Sequence, residues 1–191
     1  FVINIPFEEV LPEQGLDMMI DSIELRSRFS TDYSKSSQDR KSNIKLALSK
    51  FNGMIVEPGQ EVSFNKTTGA RTAENGYKTA KIIFNGSYVS GMGGGVCQAS
   101  TTLFNALLLA DIEVVESHHH SLPASYVPLS FDAMVSDGYA DLVFKNSLDS
   151  AVYIKAYGTD SEAVVEIYGQ PLEEGVEMKT RCELVKVLPH G

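Results

Sequence analysis

The 191-residue chain lacks several things, and each absence narrows what it can be. No stretch approaches the roughly 20 consecutive apolar residues that a membrane span needs. The longest apolar run, Ala106 to Ala110, suffices only for a buried turn of helix. Positive charge is scarce: 16 Lys and Arg stand against 25 Asp and Glu, a formal net charge of −9. A nucleic-acid partner is therefore not expected, because a phosphate backbone calls for a basic patch. The densest basic stretch, Arg40, Lys41, Lys45 and Lys50, has the spacing of a solvated helix face. There are two cysteines, Cys97 and Cys182, and the sequence neither demands nor excludes a disulfide between them. There is no initiator methionine and no signal peptide. Because Phe1 lies inside what reads as a strand, the chain is expected to be an excised fragment, with any anchor or export signal upstream. Internal repeats and low-complexity tracts are also missing.

What is present is ordinary for a soluble globular protein: 43% of residues are hydrophobic and 21% charged, so a core of useful size can form. Phe1, Val2, Ile3 and Ile5 read as a short strand, and Ser22 to Thr31 alternates in a way that suits a sheet edge. Asp39 is a candidate cap for a helix running to about Phe51, with Gly53 just past its end. Met54 to Val56 reads as a strand, Pro58-Gly59 as a turn, and Lys78 to Phe84 as a strand closed by Asn85-Gly86. Gly91 to Gly95 reads as a flexible loop. From Cys97 to Ala110, Leu103, Ala106, Leu107 and Ala110 recur at helical spacing and predict a core-facing helix. Ile112 to Val115 follows as a strand. Four alternating segments (140–146, 151–157, 163–168 and 176–187) predict an antiparallel meander. The expected class is α+β: a largely antiparallel sheet, a few helices, and Cys97 at a helix N-terminus.

Three features converge on Cys97. It begins a helix, where free N–H groups and the macrodipole favour a thiolate. Glycines precede it and allow close backbone approach. N–H groups around Gly95 to Gln98 are candidates to stabilise an oxyanion. The run His118-His119-His120 can reach it: a 14-residue helix rises about 20 Å, and a strand returning over 112–118 covers about 23 Å. A cysteine beside a histidine suits general-base activation of a thiol. The same residues also suit a packed core cysteine with a polar strand end, or a zinc site whose fourth ligand is not evident. Cys182 lies on the alternating face Val176, Met178, Thr180, Cys182, Leu184 and reads as structural.

These residues carry a resemblance. Gly93 to Ala106 (GGGVCQASTTLFNA) resembles the signature of the VanW-like domain of bacterial cell-envelope proteins, as does Glu116 to Val135 (ESHHHSLPASYVPLSFDAMV) with Asp141 and Phe144-Lys145-Asn146. Phe29-Ser30-Thr31, Arg40 with Asn43-Ile44, Pro58-Gly59, Ser63-Phe64-Asn65, Gly69 with Arg71-Thr72, and Gly76-Tyr77 with Ala80 fit in order. The resemblance covers roughly residues 29 to 170. It sets a domain over 29–170, an opening segment over 1–28 and a C-terminal strand extension over 171–191. Ser117, Ser130 and Met134 depart from the usual pattern without touching the cysteine or the histidine.

The resemblance implies an extracellular, wall-facing protein, attached to a membrane only through a missing N-terminal anchor. Some members are understood to be L,D-transpeptidases that make 3-3 cross-links in peptidoglycan with a cysteine nucleophile. Carried over, Cys97 is the nucleophile and His120 the histidine before a serine, with roles for Asp132, Asp141 and Asn146 unassigned. On this expectation Cys97 attacks the carbonyl between the third and fourth residues of a donor stem peptide, and His120 accepts its proton. His118 or His119 is a candidate to orient His120. Gly95, Gln98, Arg71 and Ser121 are candidates for oxyanion or substrate binding, Arg71 for a stem-peptide carboxylate or else a surface ion pair. No cofactor or metal is implied, and the expected partners are stem peptides. The alternatives are a cysteine hydrolase (an L,D-carboxypeptidase) trimming stem peptides and a non-catalytic wall-binding module. Oligomeric state is silent.

Overall fold

The fold is seen in a computed structural model that describes residues 23–84, 87–173 and 176–182. The chain is α+β, and all its strand pairs are antiparallel. The main sheet has four strands in the order β1-β9-β8-β2: β1 (Glu24–Asp32), β9 (Glu162–Gly169), β8 (Val152–Gly158) and β2 (Met54–Val56). The alternation read in Ser22 to Thr31 becomes β1, at the edge of this sheet, where Phe29 pairs with Val165 and Thr31 with Ala163. Strand β1 crosses residue 28, so residues 24 to 28 share the main sheet with the residues after them. The strand read in Phe1 to Ile5 and the Asn85-Gly86 turn lie outside the described residues.

Helix α1 (Gln38–Ser49) and helix α3 (Val96–Leu109) lie side by side on one face of the sheet, α3 across β1 and β9 and α1 across β8. The cap of α1 is Ser37 rather than Asp39. The Ser37 hydroxyl accepts the Arg40 N–H, and Asp39 sits in the first turn, where its charge suits the helix dipole. Ile44, Ala47 and Leu48 from α1, with Phe51 just past its end, meet Val96, Ala99, Leu103 and Leu107 from α3 in the core, with Ile154, Val165 and Ile167 beneath them. Burial of such side chains is the main force holding helices to sheet, at about 1.5–3 kcal/mol for each large one.

Beside this unit, a short helix α2 (Phe64–Thr68) follows β3 (Glu61–Ser63), and Phe64 stacks on Phe51 with ring centroids 5.1 Å apart. Strands β3, β7 (Val143–Lys145) and β6 (Glu113–Glu116) form a second sheet, and β4 (Thr79–Phe84) and β5 (Ser87–Met92) form a hairpin. The expected meander is therefore broken up. Only β8 and β9 follow one another as a hairpin, while β7 pairs with β3 and β6. Of the strand expected over 176–187, residues 176–182 carry none, and Val176 is 46% exposed; residues 183–187 lie outside the described residues. The glycine-rich stretch also differs from the expected loop, since Gly91 and Met92 complete β5 and only Gly93 to Gly95 turn.

Candidate active site

The site is built where the Gly93–Gly95 turn delivers the chain into α3. Gly95 is the N-cap residue with φ +108°, a conformation that side chains resist, and no side chain caps the helix. Gly94 is pressed onto β4: a Cβ there would sit 2.7 Å from the Ala80 carbonyl carbon and the Lys81 carbonyl oxygen. Buried Asn43 of α1 holds the turn. Its amide donates to the Gly94 carbonyl (3.0 Å) and the Lys78 carbonyl (2.8 Å) and accepts the Lys78 N–H (2.8 Å). Cys97, the second residue of α3, thus stands half-buried on a braced helix start.

The polar residues of α3 have a separate task. Ser100, Thr101, Thr102 and Asn105 are buried among apolar neighbours, yet each is satisfied. Thr102 bonds Thr31 of β1 at 2.8 Å. The other three bind the chain at 131–133: Ser100 donates to the Ala133 carbonyl (2.5 Å), Thr101 accepts the Ala133 N–H (3.0 Å), and Asn105 donates to the Phe131 carbonyl (2.8 Å). This rail holds Asp132 beside the histidines. One Asp132 oxygen accepts both the His120 N–H and the His120 ring Nδ1, each at 2.7 Å. The His118 carbonyl accepts the Met134 N–H (2.7 Å), so 118–120 and 132–134 run zipped together.

With Nδ1 on Asp132, the other ring nitrogen of His120 is left for Cys97, whose sulfur lies near enough to raise the His120 pKa. The thiol also lies 3.4 Å from the Val135 carbonyl. Cys97, His120 and Asp132 are thus brought together at one place. The His120 side chain is only 8% exposed. Burial disfavours its charged form, but the Cys97 sulfur and the Asp132 carboxylate outweigh this and raise its pKa above the ordinary value. Burial likewise opposes ionisation of Asp132, and the His120 N–H and ring overcome it, holding the carboxyl below its usual range.

The remaining expected residues divide. His118 turns away to Glu116 (2.8 Å), and His119 is 55% exposed at the cleft mouth, 3.3 Å from the second Asp132 oxygen. The group that orients His120 is thus Asp132, not His118. Ser121 lines the cleft and is exposed. The Gln98 side chain is buried within the fold, donating to Thr31 Oγ1 (3.0 Å) and the Asp32 carbonyl (2.9 Å) and accepting from Arg40 (2.7 Å). The Gln98 N–H is engaged by the Gly95 carbonyl and the Val96 N–H by that of Gly93, whereas the Cys97 N–H makes no hydrogen bond among the described residues. Arg71 lies in the cleft wall, ion-paired to Asp137 and donating to Asn65 (2.5 Å). Of the unassigned motif residues, Asp141 braces β3 and α2 through Ser63 (2.5 Å) and the Asn65 N–H (2.9 Å), and buried Asn146 ties the Val56 and Ser150 carbonyls. Both cysteines are free.

Cys97 and His120 open onto a cleft of about 1860 Å³, walled by Tyr33 to Ser37 on one side and by Ala124 to Tyr126 and Met134 to Asp137 on others. Its size suits a peptide-sized ligand rather than a single small metabolite. Residues 39–168, which contain every part of this site but its β1 edge and Tyr33–Ser37 wall, match the family described as VanW like protein. The chain belongs to the VanW-like family. It is 32% identical over 167 residues to the uncharacterized protein YoaR of Bacillus subtilis, covering 87% of this chain and 55% of that one. It is 28% identical over 131 residues to the vancomycin B-type resistance protein VanW of Enterococcus faecalis, covering 66% of this chain and 48% of that one. The chain thus spans about half the length of the curated relatives it matches. No solved structure matches it.

The role of Asp132, a motif position left unassigned in the sequence, and the place of Tyr126 were not read from the sequence. Asp132 sits 12 residues from His120 in an irregular segment, and the signal for it was the polar run Ser100-Thr101-Thr102 in an otherwise apolar helix. Tyr126 forms part of the cleft wall, and burial first, then the negative groups nearby, keep its phenol protonated.

Proposed function

We propose that this VanW-like domain is a cysteine-dependent acyltransferase of the bacterial cell envelope, an L,D-transpeptidase that forms 3-3 cross-links between peptidoglycan stem peptides. The observation that carries the reading is the chain Cys97–His120–Asp132 opening into a peptide-sized cleft. The similarity to the vancomycin B-type resistance protein VanW supports a wall-linked role. The domain acts outside the cell, with any membrane attachment supplied upstream.

In this mechanism His120 takes the Cys97 proton, and the sulfur attacks the carbonyl carbon between the third and fourth donor residues. Asp132 holds the imidazole in its tautomer and stabilises the imidazolium. The Cys97 N–H, which makes no hydrogen bond among the described residues, is the donor available to the oxyanion. Collapse breaks the C–N bond, and His120 returns its proton to the departing D-alanine amine. The side-chain amine of the acceptor's third residue then attacks the thioester, His120 removes its proton, and the thiolate is expelled. No cofactor enters any step.

The test is mass spectrometry of muropeptides after incubation with tetrapeptide-bearing fragments, wild type beside Cys97→Ala. Dimers with 3-3 links that vanish in the variant are expected. Tripeptides without dimers would make the protein a hydrolase with the same nucleophile. Unchanged substrate with the wild type would leave a wall-binding module as the better account.

A further inference from the structure

We propose that Arg40 anchors the free terminal carboxylate of the donor peptide, one residue beyond the bond that Cys97 attacks. The inference rests on the acyl-transfer reading of Cys97 and adds to it the determinant that selects the end of a chain over its interior.

Arg40 reaches the site because Gly95 lets it. A Cβ at Gly95 would lie 2.9 Å from Arg40 Cγ and 3.1 Å from the Arg40 carbonyl, so the arginine stem runs across the residue that caps the helix of Cys97. One guanidinium nitrogen, Nη1, is engaged by two neutral groups, Gln98 Oε1 (2.7 Å) and Ser36 Oγ (3.0 Å). These hold the plane of the guanidinium without neutralising it. Among the described residues Arg40 forms no salt bridge, and its Nη2 and Nε donate to none of them. Three of its five N–H donors are therefore available on a residue that lines the cleft. That remaining fork matches a carboxylate in bidentate geometry.

A partly buried cation without a counter-ion is costly to the folded protein. Burial lowers the Arg40 pKa, opposed by Tyr126 and Cys97, and the group stays charged because a guanidinium does not lose its proton in proteins. The other cations of the cleft are placed differently. Arg71 is ion-paired to Asp137, and Lys35 and Lys81 are exposed. Position also favours Arg40. A carboxylate one residue beyond the attacked carbonyl lies within about one Cα–Cα step, roughly 3.8 Å, of it. Its anchor must therefore stand next to the nucleophile, and Arg40 runs across Gly95 and bonds Gln98, the residues on either side of Val96-Cys97. A peptide continuing past that residue, or ending in an amide, leaves Arg40 unpaired.

The test uses the whole chain in the Cys97→Ala background and compares binding of a stem tetrapeptide with that of its C-terminal amide, by calorimetry or NMR titration. Loss of one charge-assisted bidentate contact predicts about tenfold weaker binding of the amide. In Arg40→Gln the ratio should fall to about one, and Arg40→Lys should retain part of it. Because the ratio is taken within a single protein, a partly unfolded variant does not distort it. A ratio near one before Arg40 is changed, an undiminished ratio in Arg40→Gln, or no binding of either peptide would overturn the inference. Discrimination without turnover by wild-type protein would keep Arg40 and sink the acyltransferase; turnover without discrimination would do the reverse.

Discussion

Asp132→Asn separates charge from shape at the centre of the site. The two side chains are nearly isosteric, and an asparagine oxygen can occupy the place from which Asp132 accepts the His120 N–H and Nδ1, both at 2.7 Å. The fold around it is held by the Ser100, Thr101 and Asn105 contacts to 131–133, which use backbone atoms and survive the change. What is lost is the negative charge. A hydrogen bond to a charged acceptor contributes about 1.5–3 kcal/mol and a neutral one about 0.5–1.5, so each bond weakens by about 1 kcal/mol. For the ring bond, this removes part of the support for the imidazolium. The His120 ring, followed by NMR across pH, should therefore titrate at lower pH in the variant than in the wild type. Acyl transfer should fall about 10²-fold or more, the usual scale for a disabled acid–base group. A His120 titration that does not move in a folded Asp132→Asn protein would refute the coupling.

Three further outcomes follow from the same contacts. Asn43→Ala removes one buried hydrogen bond to the Gly93–Gly95 turn and two to the Lys78 backbone beside it, and should cost about 2–4 kcal/mol in urea unfolding, with activity falling alongside; a loss under 1 kcal/mol would argue that the turn stands without it. Gly94→Ala drives a methyl into the backbone of β4, which cannot rotate away, and should cost about 1–3 kcal/mol or more. Gly53→Ala, with φ +86° but open space, is the control at about 1–2 kcal/mol, so an equal loss at both would discount the contact. Stability should also depend on pH with opposite signs at the two partners. The raised His120 pKa contributes stability below its unfolded value of about 6.5 that is lost as pH rises through the folded value. The depressed Asp132 pKa contributes stability above its unfolded value that is lost as pH falls through the folded one. The stability difference between wild type and Asp132→Asn should thus shrink in acid; a constant difference would contradict the assignment.

Much of this protein is written in local pattern. The apolar spacing from Leu103 to Ala110 determined α3, and the glycines before Cys97 determined that the helix begins there, because a residue at φ +108° is most easily a glycine. The matched lengths of α3 and the strand after it determined that the histidines return to the start of the helix, since rise per residue is a property of the backbone alone. Tertiary structure decided the rest. Alternation in residues 140–146 marks a strand but carries no information on its partner, and β7 left the expected meander for β3 and β6. Residues 176–182 alternate equally well and pair with nothing described. Which of three histidines meets the thiol, and that Asp132 rather than His118 stands behind it, depended on Ser100, Thr101 and Asn105 binding a segment 26 to 33 residues away. Arg40 has no ion pair among the described residues because Gln98 and Ser36, both neutral, were the groups that packing brought to it. Helix and turn energies come from neighbours in the chain and can be read from it, whereas the partner of a buried polar group is chosen by three-dimensional packing that no spacing records.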